Sequence, residues 1–196
     1  MEDMFPAREG VDASKLRITR EGSYSITRRR DSARILEHMA SVVGALDDKI
    51  ITDTTGCVGG DTINFGLHFK TVHSIEANEE NFEALRHNVE AFGLTNVHTY
   101  WGDSVRLFQW YSDVMYIDPP WGGPSYRTRR TLELFLSDVR LDKWVEQVLL
   151  RANHPKWIAL KLPKNYNLGR LQFLPNTRAM HIFPIRTFVL VVISAD

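Results

Sequence analysis

Hydrophobic residues recur along the chain with two alternating periods, which predict helices and strands in turn. A helical pattern covers residues 32–46, where apolar side chains stand three or four positions apart. A second covers residues 78–92 and stops at Gly93, a residue type that commonly ends helices. Shorter helical stretches begin near residue 61 and cover residues 144–150. Because the first pattern precedes every predicted strand, we expect this helix to cover the sheet.

Short apolar runs between these helices predict the strands of one sheet. The predicted strands cover residues 49–54, 71–77, 97–101, 113–118, 157–162, 178–183 and 188–194. The fourth is almost entirely apolar, as expected for a strand that is buried on both faces. Strands that alternate with helices and end in an antiparallel pair predict an α/β, Rossmann-like fold with a doubly wound, mostly parallel seven-stranded sheet.

The composition fits one compact domain, since 43% of the 196 residues are hydrophobic, which is enough for a core. Within it we predict an N-terminal arm and covering helix over residues 1–46 and the α/β core over residues 47–196. Residues 1–15 are polar and mixed, which predicts a loose arm.

Charge does not by itself indicate a polyanionic partner, because Lys plus Arg and Asp plus Glu both number 24. The arginines are nevertheless clustered, with one group between residues 17 and 34 and another between residues 127 and 130. Whether these groups flank a phosphate-bearing ligand or are simply solvated stays open.

The single cysteine, Cys57, excludes an internal disulfide framework and leaves no Cys/His spacing typical of a zinc site. No segment approaches the roughly 18 uninterrupted apolar residues of a membrane span, and the first residues have no signal-peptide pattern. We therefore expect an intracellular protein, cytoplasmic or nuclear, with no membrane anchor and no metal.

Acidic residues stand at the ends of four predicted strands: Asp53, Glu76, Asp103 and Asp118. In a doubly wound sheet, ligands bind beyond these carboxyl ends. Asp53 leads into a glycine-rich turn, and Glu76 follows at the spacing typical of the acid that accepts both ribose hydroxyls of a nucleotide. Asp103 is suited to accept from an adenine amino group. We therefore expect a nucleoside cofactor, with these further residues beside it: Gly56, Gly59, Ala77 and Ser104.

Simpler interpretations of the same residues stay open at this point. Asp103 is well placed to cap a helix, and Glu76 to be a solvated strand end. A glycine turn after a strand also occurs in dinucleotide dehydrogenases.

The string Asp118-Pro119-Pro120-Trp121 indicates which chemistry follows. An amino nitrogen conjugated to a heterocycle is a weak nucleophile, because its lone pair is delocalised. A carboxylate and a backbone carbonyl, here Asp118 and Pro119, orient that lone pair by accepting its two N–H groups. The prolines form a stiff turn. Trp121 offers a flat face on which a base can stack. The alternative is that Trp121 is a core residue that packs at the end of the strand. The string therefore predicts an S-adenosylmethionine-dependent N-methyltransferase.

The stretch Asp118-Pro119-Pro120-Trp121-Gly122-Gly123-Pro124-Ser125-Tyr126 resembles a signature of the trimethylguanosine synthases, which methylate the exocyclic amine of 7-methylguanosine in RNA caps. Three further stretches, residues 20–27, 59–65 and 162–165, are similar to other segments of that family. The resemblance runs from about residue 16 to near the C-terminus.

The resemblance implies a class I methyltransferase fold, S-adenosylmethionine as cofactor and capped RNA as partner. By matched position, Trp121 stacks on the methylated guanine, Tyr126 and Lys164 contact the cap phosphates, and Thr27 helps to hold the cofactor. We also assign Asn165 and Arg17 to the substrate side.

Two departures from the family pattern widen the question of function. The family usually has Ser-Pro-Pro-Trp where this chain has Asp118, a carboxylate found in many adenine and guanine N-methyltransferases. Its usual Cys-Gly order at the turn is reversed to Gly56-Cys57. An N-methyltransferase of guanine or adenine in ribosomal RNA, other RNA or DNA is therefore the alternative function, and an inactive RNA-binding or partner subunit is a third possibility.

Overall fold

The computed structural model describes residues 3–196, so residues 1 and 2 of the predicted arm lie outside the described residues. One seven-stranded sheet organises the chain, with the strand order β3-β2-β1-β4-β7-β9-β8. Its strands are β1 (Ile50–Asp53), β2 (Thr71–Glu76), β3 (Val97–Trp101), β4 (Val114–Ile117), β7 (Trp157–Pro163), β8 (Thr177–Ile185) and β9 (Phe188–Ala195). The first five run parallel, and the last two form an antiparallel hairpin at one edge. The predicted sheet is confirmed.

Six helices surround this sheet within the described residues: α1 (Gly22–Ser25), α2 (Arg29–Val43), α3 (Gly60–Gly66), α4 (Glu79–Ala91), α5 (Ser104–Leu107) and α6 (Leu141–Leu149). The covering helix α2 ends three residues before its predicted end, because Gly44 turns the backbone to a φ of 86°. A 3-10 turn at Pro124–Thr128 and a small hairpin of β5 (Phe135–Leu136) and β6 (Val139–Arg140) follow β4, and neither was predicted.

Two apolar clusters fill the two faces of the sheet, and β4 contributes to both. Val114 and Tyr116 belong to the cluster with α2, α3 and α4, whereas Met115 and Ile117 belong to the cluster with α6. All four residues of β4 are fully buried. This arrangement explains the continuous apolar pattern of β4, because alternate side chains point into different cores.

The N-terminal segment packs against the core, so the prediction of a loose arm is wrong for its described part. Phe5 is only 3% exposed, and its ring centroid lies 6.3 Å from that of Phe92. Leu16 is buried in the same cluster. The prediction failed because a few apolar side chains suffice to dock a segment whose composition is otherwise polar. Between residues 3 and 196, no helix has the length and apolarity needed to cross a membrane.

Candidate active site

We call the ends of β1, β2 and β3, where the cofactor is predicted to bind, the cofactor side. The glycine-rich turn between β1 and α3 lies at its centre. Gly59 precedes α3 with a φ of 97°, a left-handed conformation that glycine adopts without strain. A Cβ atom on Gly56 would lie 2.4 Å from the Ser74 hydroxyl, so only glycine fits there. Cys57, the next residue, has a φ of 47°. The order Gly56-Cys57 thus places a non-glycine residue in the left-handed region, which strains its backbone.

Asp53 lies at the end of β1 and fastens this turn to the helix behind it. One carboxylate oxygen accepts from the Thr55 N–H at 3.0 Å, and the other accepts from the Thr62 hydroxyl at 2.6 Å. Burial raises the pKa of Asp53 to about 7. The structure thus gives Asp53 the role of shaping the turn, and its contact with a cofactor stays a prediction.

Glu76 ends β2 directly beside the turn. Its two oxygens accept from the N–H groups of Cys57 at 2.7 Å and Asn78 at 2.8 Å. Burial raises the pKa of Glu76 despite these hydrogen bonds. An ionised carboxylate has about four acceptor positions, so two remain for other donors. Ala77, the next residue, is exposed, and its carbonyl oxygen accepts from the indole N–H of Trp101.

Asp103 follows β3 and caps the short helix α5. Its carboxylate accepts from the Val105 N–H at 2.9 Å, so the capping interpretation holds in this structure. The buried Ser104 hydroxyl donates to the Thr54 carbonyl oxygen and ties α5 to the segment after β1. The ends of β1, β2 and β3 thereby stand together, as predicted from their order in the sheet.

Asp118 follows β4 at the same edge of the sheet. Its backbone N–H donates to the Thr55 hydroxyl at 2.8 Å, which joins it to the cofactor turn. Its carboxylate is 19% exposed, and oxygen Oδ2 accepts from the Lys161 ammonium at 2.6 Å. Burial raises the pKa of Asp118 to about 6, although Lys161 opposes that shift. Oxygen Oδ1 has no hydrogen-bond donor among the described residues.

Lys161 lies on β7, the strand next to β4, and was not predicted. In the parallel pair of β4 and β7, Ile117 lies opposite Leu160. The next residues on the two strands, Asp118 and Lys161, therefore lie side by side. Burial alone lowers the pKa of Lys161, but the carboxylates of Asp118 and Asp61 outweigh this effect and raise it. The two groups therefore form an ion pair at neutral pH.

Asp61, on α3, extends this buried polar network to the N-terminal segment. Its carboxylate accepts from the hydroxyls of Thr27 at 2.5 Å, Ser32 at 2.6 Å and Tyr116 at 2.9 Å. The Thr27 oxygen also accepts from the Lys161 ammonium at 2.8 Å. The only hydroxyl proton of Thr27 is thus used inside the network, and its role in holding a cofactor stays a prediction.

Trp121 and Tyr126 lie together just beyond Asp118. Their ring centroids are 5.0 Å apart with an interplanar angle of 77°. Asn165 holds this loop, since its amide group donates to the carbonyl oxygens of Tyr126 at 2.9 Å and Arg129 at 2.8 Å. The Trp121 indole nitrogen and the Asn165 Oδ1 are buried without hydrogen-bond partners in the described part of the chain. Two unsatisfied polar atoms of this kind are suited to a ligand.

The remaining predicted residues differ in their surroundings. Pro119 is buried and Pro120 exposed after β4, and Lys164 is exposed beside Asn165. Arg17 lies elsewhere, against α4, where its N–H donates to the Asn88 side chain at 2.7 Å and its carbonyl oxygen accepts from it at 2.8 Å. Its assignment to the substrate side stays a prediction.

Sequence reasoning missed Lys161, Asp61 and Thr55. One signal was available, because Lys161 is the only charged residue in the strand Trp157–Pro163. A charge inside an apolar strand predicts a buried partner, since an unpaired buried charge is costly.

The acids of the cofactor side fit S-adenosylmethionine by their chemistry. Glu76 has free acceptor positions for ribose hydroxyls, and Asp103 supplies a second carboxylate one strand further along the sheet. Asp103 also lies 3.5 Å from the exposed Arg106 guanidinium on α5, whereas Glu76 has no lysine or arginine partner among the described residues. Among residues 3–196, no group of three or more His, Cys, Asp or Glu side chains is arranged to hold a metal ion.

Comparison with known proteins assigns the chain to a family. Residues 48–184 match the family described as RNA cap guanine-N2 methyltransferase. An uncharacterized protein of Acanthamoeba polyphaga mimivirus is 32% identical over 149 residues, covering 74% of this chain and 58% of that protein. Trimethylguanosine synthase of Schizosaccharomyces pombe is 28% identical over 158 residues, covering 76% of this chain and 63% of that enzyme. The chain thus spans less than two thirds of the length of these relatives.

Solved structures confirm the fold. A guanine-N2 methyltransferase of 16S rRNA from T. thermophilus, in complex with AdoMet and guanosine, superposes with a TM-score of 0.66 at 13% identity, covering 85% of this chain and 43% of that one. A precorrin-6y C5,15-methyltransferase from Geobacter metallireducens gives a TM-score of 0.65 at 13% identity, covering 95% and 97%. The predicted class I methyltransferase fold and the S-adenosylmethionine cofactor are therefore confirmed, and the chain belongs to the RNA cap guanine-N2 methyltransferase family.

Proposed function

We propose that this protein transfers a methyl group from S-adenosylmethionine to the exocyclic N2 amine of 7-methylguanosine in an RNA cap. The observation that carries the proposal is the position of Trp121 beside Asp118 at the end of β4, next to the acids of the cofactor side. A flat indole binds a base by stacking, and the attraction increases when the base carries the positive charge of an N7 methyl group.

The substrate side supplies the groups that the reaction needs. Asp118 Oδ1 accepts one N–H of the target amine, and the Pro119 carbonyl oxygen accepts the other, which directs the nitrogen lone pair towards the donor. S-adenosylmethionine supplies an electrophilic methyl group, whose bond to sulfur breaks as the bond to nitrogen forms. The nitrogen then loses one proton, which Asp118 is placed to accept, and the second product is S-adenosylhomocysteine.

The loop that Asn165 holds completes the base site in this proposal. Tyr126 packs against Trp121 in a T-shaped arrangement, which restricts the orientation of the indole ring. Lys164 and the exposed arginines 127, 129 and 130 lie on or near the same loops and provide positive charge for cap phosphates. Capped RNA is accordingly the proposed partner.

A methyl-transfer assay on matched cap analogues tests this function. We expect transfer to m7GpppG and none to GpppG, with mass spectrometry placing the new methyl group on N2. Comparable transfer to GpppG or to adenosine would refute the cap specificity. It would instead support the alternative of a guanine or adenine N-methyltransferase of other nucleic acids, which the carboxylate of Asp118 also suits.

A further inference from the structure

We propose that Lys161 is a positioning residue for methyl transfer. Its ammonium group fixes oxygen Oδ2 of Asp118 and keeps the carboxylate ionised, so that Oδ1 is free to accept from the target amine. This inference rests on the proposed function, in which Asp118 orients an amino nitrogen. Lys161 itself is 6% exposed and lies behind the carboxylate rather than in contact with solvent.

The surroundings of Lys161 leave its ammonium group little freedom. It donates to Asp118 at 2.6 Å and to the Thr27 hydroxyl at 2.8 Å. It also lies 5.3 Å from the ring centroids of both Trp121 and Phe188, within range of cation–π attraction. An ammonium group held from four directions gives Oδ2 a fixed position. The free oxygen of the carboxylate is then fixed as well.

The charges around Asp118 make this cation necessary for an ionised carboxylate. The titratable groups around the Asp118 carboxylate are Asp53 on β1, Cys57 in the glycine turn, Asp61 on α3, Tyr116 on β4 and Lys161 on β7. Lys161 is the only cation in this set. Without it, burial and the neighbouring carboxylates would favour protonated Asp118, and a protonated acid presents a donor where an acceptor is needed.

The ion pair also explains how this chain accommodates its departure from the family pattern. A serine at position 118, the usual family residue, is neutral and needs no counter-charge. Asp118 brings a charge into a site that is mostly buried, and Lys161 is the single charged residue of its strand. The two residues therefore act as one unit.

The pH dependence of turnover in Lys161→Met tests this role. We expect kcat at pH 7 to fall roughly 10-fold or more and the acid limb of the profile to move up by about 2 to 3 pH units, with recovery at higher pH. The KM for the cap analogue should stay within about 2-fold, because Lys161 is not proposed to touch the base. A loss of kcat that is equal at every pH would overturn the proposal and make Lys161 a structural residue.

A measurement without substrate separates this proposal from the proposed function. A 13C NMR titration of the Asp118 carboxyl carbon, assigned by comparison with Asp118→Asn, should show an ionised group at pH 7 in the wild type and a protonated one in Lys161→Met. Lys161→Gln serves the same purpose if the Met variant does not fold. Asp118 protonated at pH 7 in the wild type would overturn the inference. Failure of the wild type to methylate cap analogues, with the titration as expected, would count against the proposed function alone.

A double variant tests whether the two residues act as a unit. Lys161→Met should reduce turnover far less when Asp118 is replaced by Ser than when it is present, because no carboxylate then needs a counter-charge. The thermal stability of Asp118→Ser should likewise rise when Lys161→Met is added. Additive effects of the two substitutions on both measurements would show that the residues are independent and contradict the proposal.

Discussion

The cofactor side and the substrate side of the candidate active site hold their acids by different means. On the cofactor side, at the ends of β1, β2 and β3, the carboxylates of Asp53, Glu76 and Asp103 accept from backbone N–H groups of adjoining turns. On the substrate side, at the ends of β4 and β7, the carboxylate of Asp118 is paired with a buried ammonium group. Backbone N–H groups, with the Thr62 hydroxyl and the exposed Arg106 as additional partners, thus hold the acids of one side, and a single buried cationic side chain holds the acid of the other.

This difference indicates how each side responds to substitution. Backbone donors come with the fold, so the geometry of the cofactor side persists when one side chain changes. The substrate side depends on the mutual compensation of two charges, and removal of either leaves the other buried without its ion-pair partner. We therefore expect substitutions on the cofactor side to weaken cofactor binding, and substitutions on the substrate side to affect base binding or turnover.

The largest effect is expected for Asp118→Ala. The variant loses the acceptor that orients the amine, so kcat should fall about 100- to 1,000-fold while cofactor affinity changes little. Single-turnover kinetics and calorimetry with S-adenosylmethionine provide the two measurements. Unchanged turnover would refute the orienting role of Asp118.

A matched control for this variant is Asp47→Ala, since Asp47 is exposed in the segment before β1. It should leave both kcat and cofactor affinity unchanged. Thermal unfolding of both variants separates loss of the fold from loss of chemistry.

The next effect concerns Trp121→Ala, which removes the proposed stacking surface. Affinity for m7GpppG should fall by about 1 to 3 kcal/mol, or about 5- to 150-fold in Kd, whereas cofactor affinity should be unchanged. Trp101→Ala is the control of the same residue type for cap affinity: Trp101 is 56% exposed at the end of β3, on the cofactor side, so its removal should leave the affinity for m7GpppG unchanged. Equal losses of affinity for both ligands in Trp121→Ala would indicate that Trp121 plugs the core instead.

Most of the fold, and the positions of the acids at the strand ends, followed from local patterns in the sequence. The apolar run of β4 and the helical spacing of α4 are properties of neighbouring residues, and the acids at strand ends follow from the strands themselves. The N-cap of α4 is equally local, since the Asn81 N–H donates to the Asn78 side chain at 3.0 Å. Such features need no knowledge of which strands are neighbours.

The substrate side was less predictable because its main contact joins distant residues. Lys161 and Asp118 are 43 positions apart, and only the adjacency of β4 and β7 brings them together. The packing of Phe5 on Phe92 depends in the same way on tertiary contact. Periodicity does not reveal either contact, although a charged residue inside an apolar strand was a signal that one of them exists.

A smaller effect is expected on the cofactor side for Glu76→Gln. The amide retains one acceptor oxygen, but its NH2 group cannot accept from the second backbone N–H, and it loses the charge that strengthens hydrogen bonds to ribose hydroxyls. We expect affinity for S-adenosylmethionine to fall about 10-fold, equivalent to about 1.4 kcal/mol, with unchanged affinity for m7GpppG. Calorimetry with each ligand checks this. A loss of cap affinity of similar size would show that the two sides are not independent.

The last expected effect is on stability rather than on activity, and concerns the pH dependence of Asp53→Asn. Burial raises the pKa of Asp53 to about 7 in the folded chain, whereas an unfolded aspartate titrates near about 3.9. Between these values the folded state binds more protons, so ionisation of Asp53 costs the wild type stability as pH rises from about 4 to about 7. Asparagine cannot ionise, and the Thr62 hydroxyl still has Ser74 at 2.8 Å as a partner.

The melting temperature of Asp53→Asn relative to wild type should therefore rise across that interval and stay constant above about pH 7. Each 1 kcal/mol corresponds to a shift of about 2 to 4 °C for a chain of this size. Scanning calorimetry at several pH values measures the difference, and the exposed Asp47→Asn serves as the control with no pH-dependent change. A difference that is constant from pH 4 to pH 8 would mean that Asp53 is ionised throughout, and that the Thr55 N–H and the Thr62 hydroxyl compensate its charge as fully as Lys161 compensates that of Asp118.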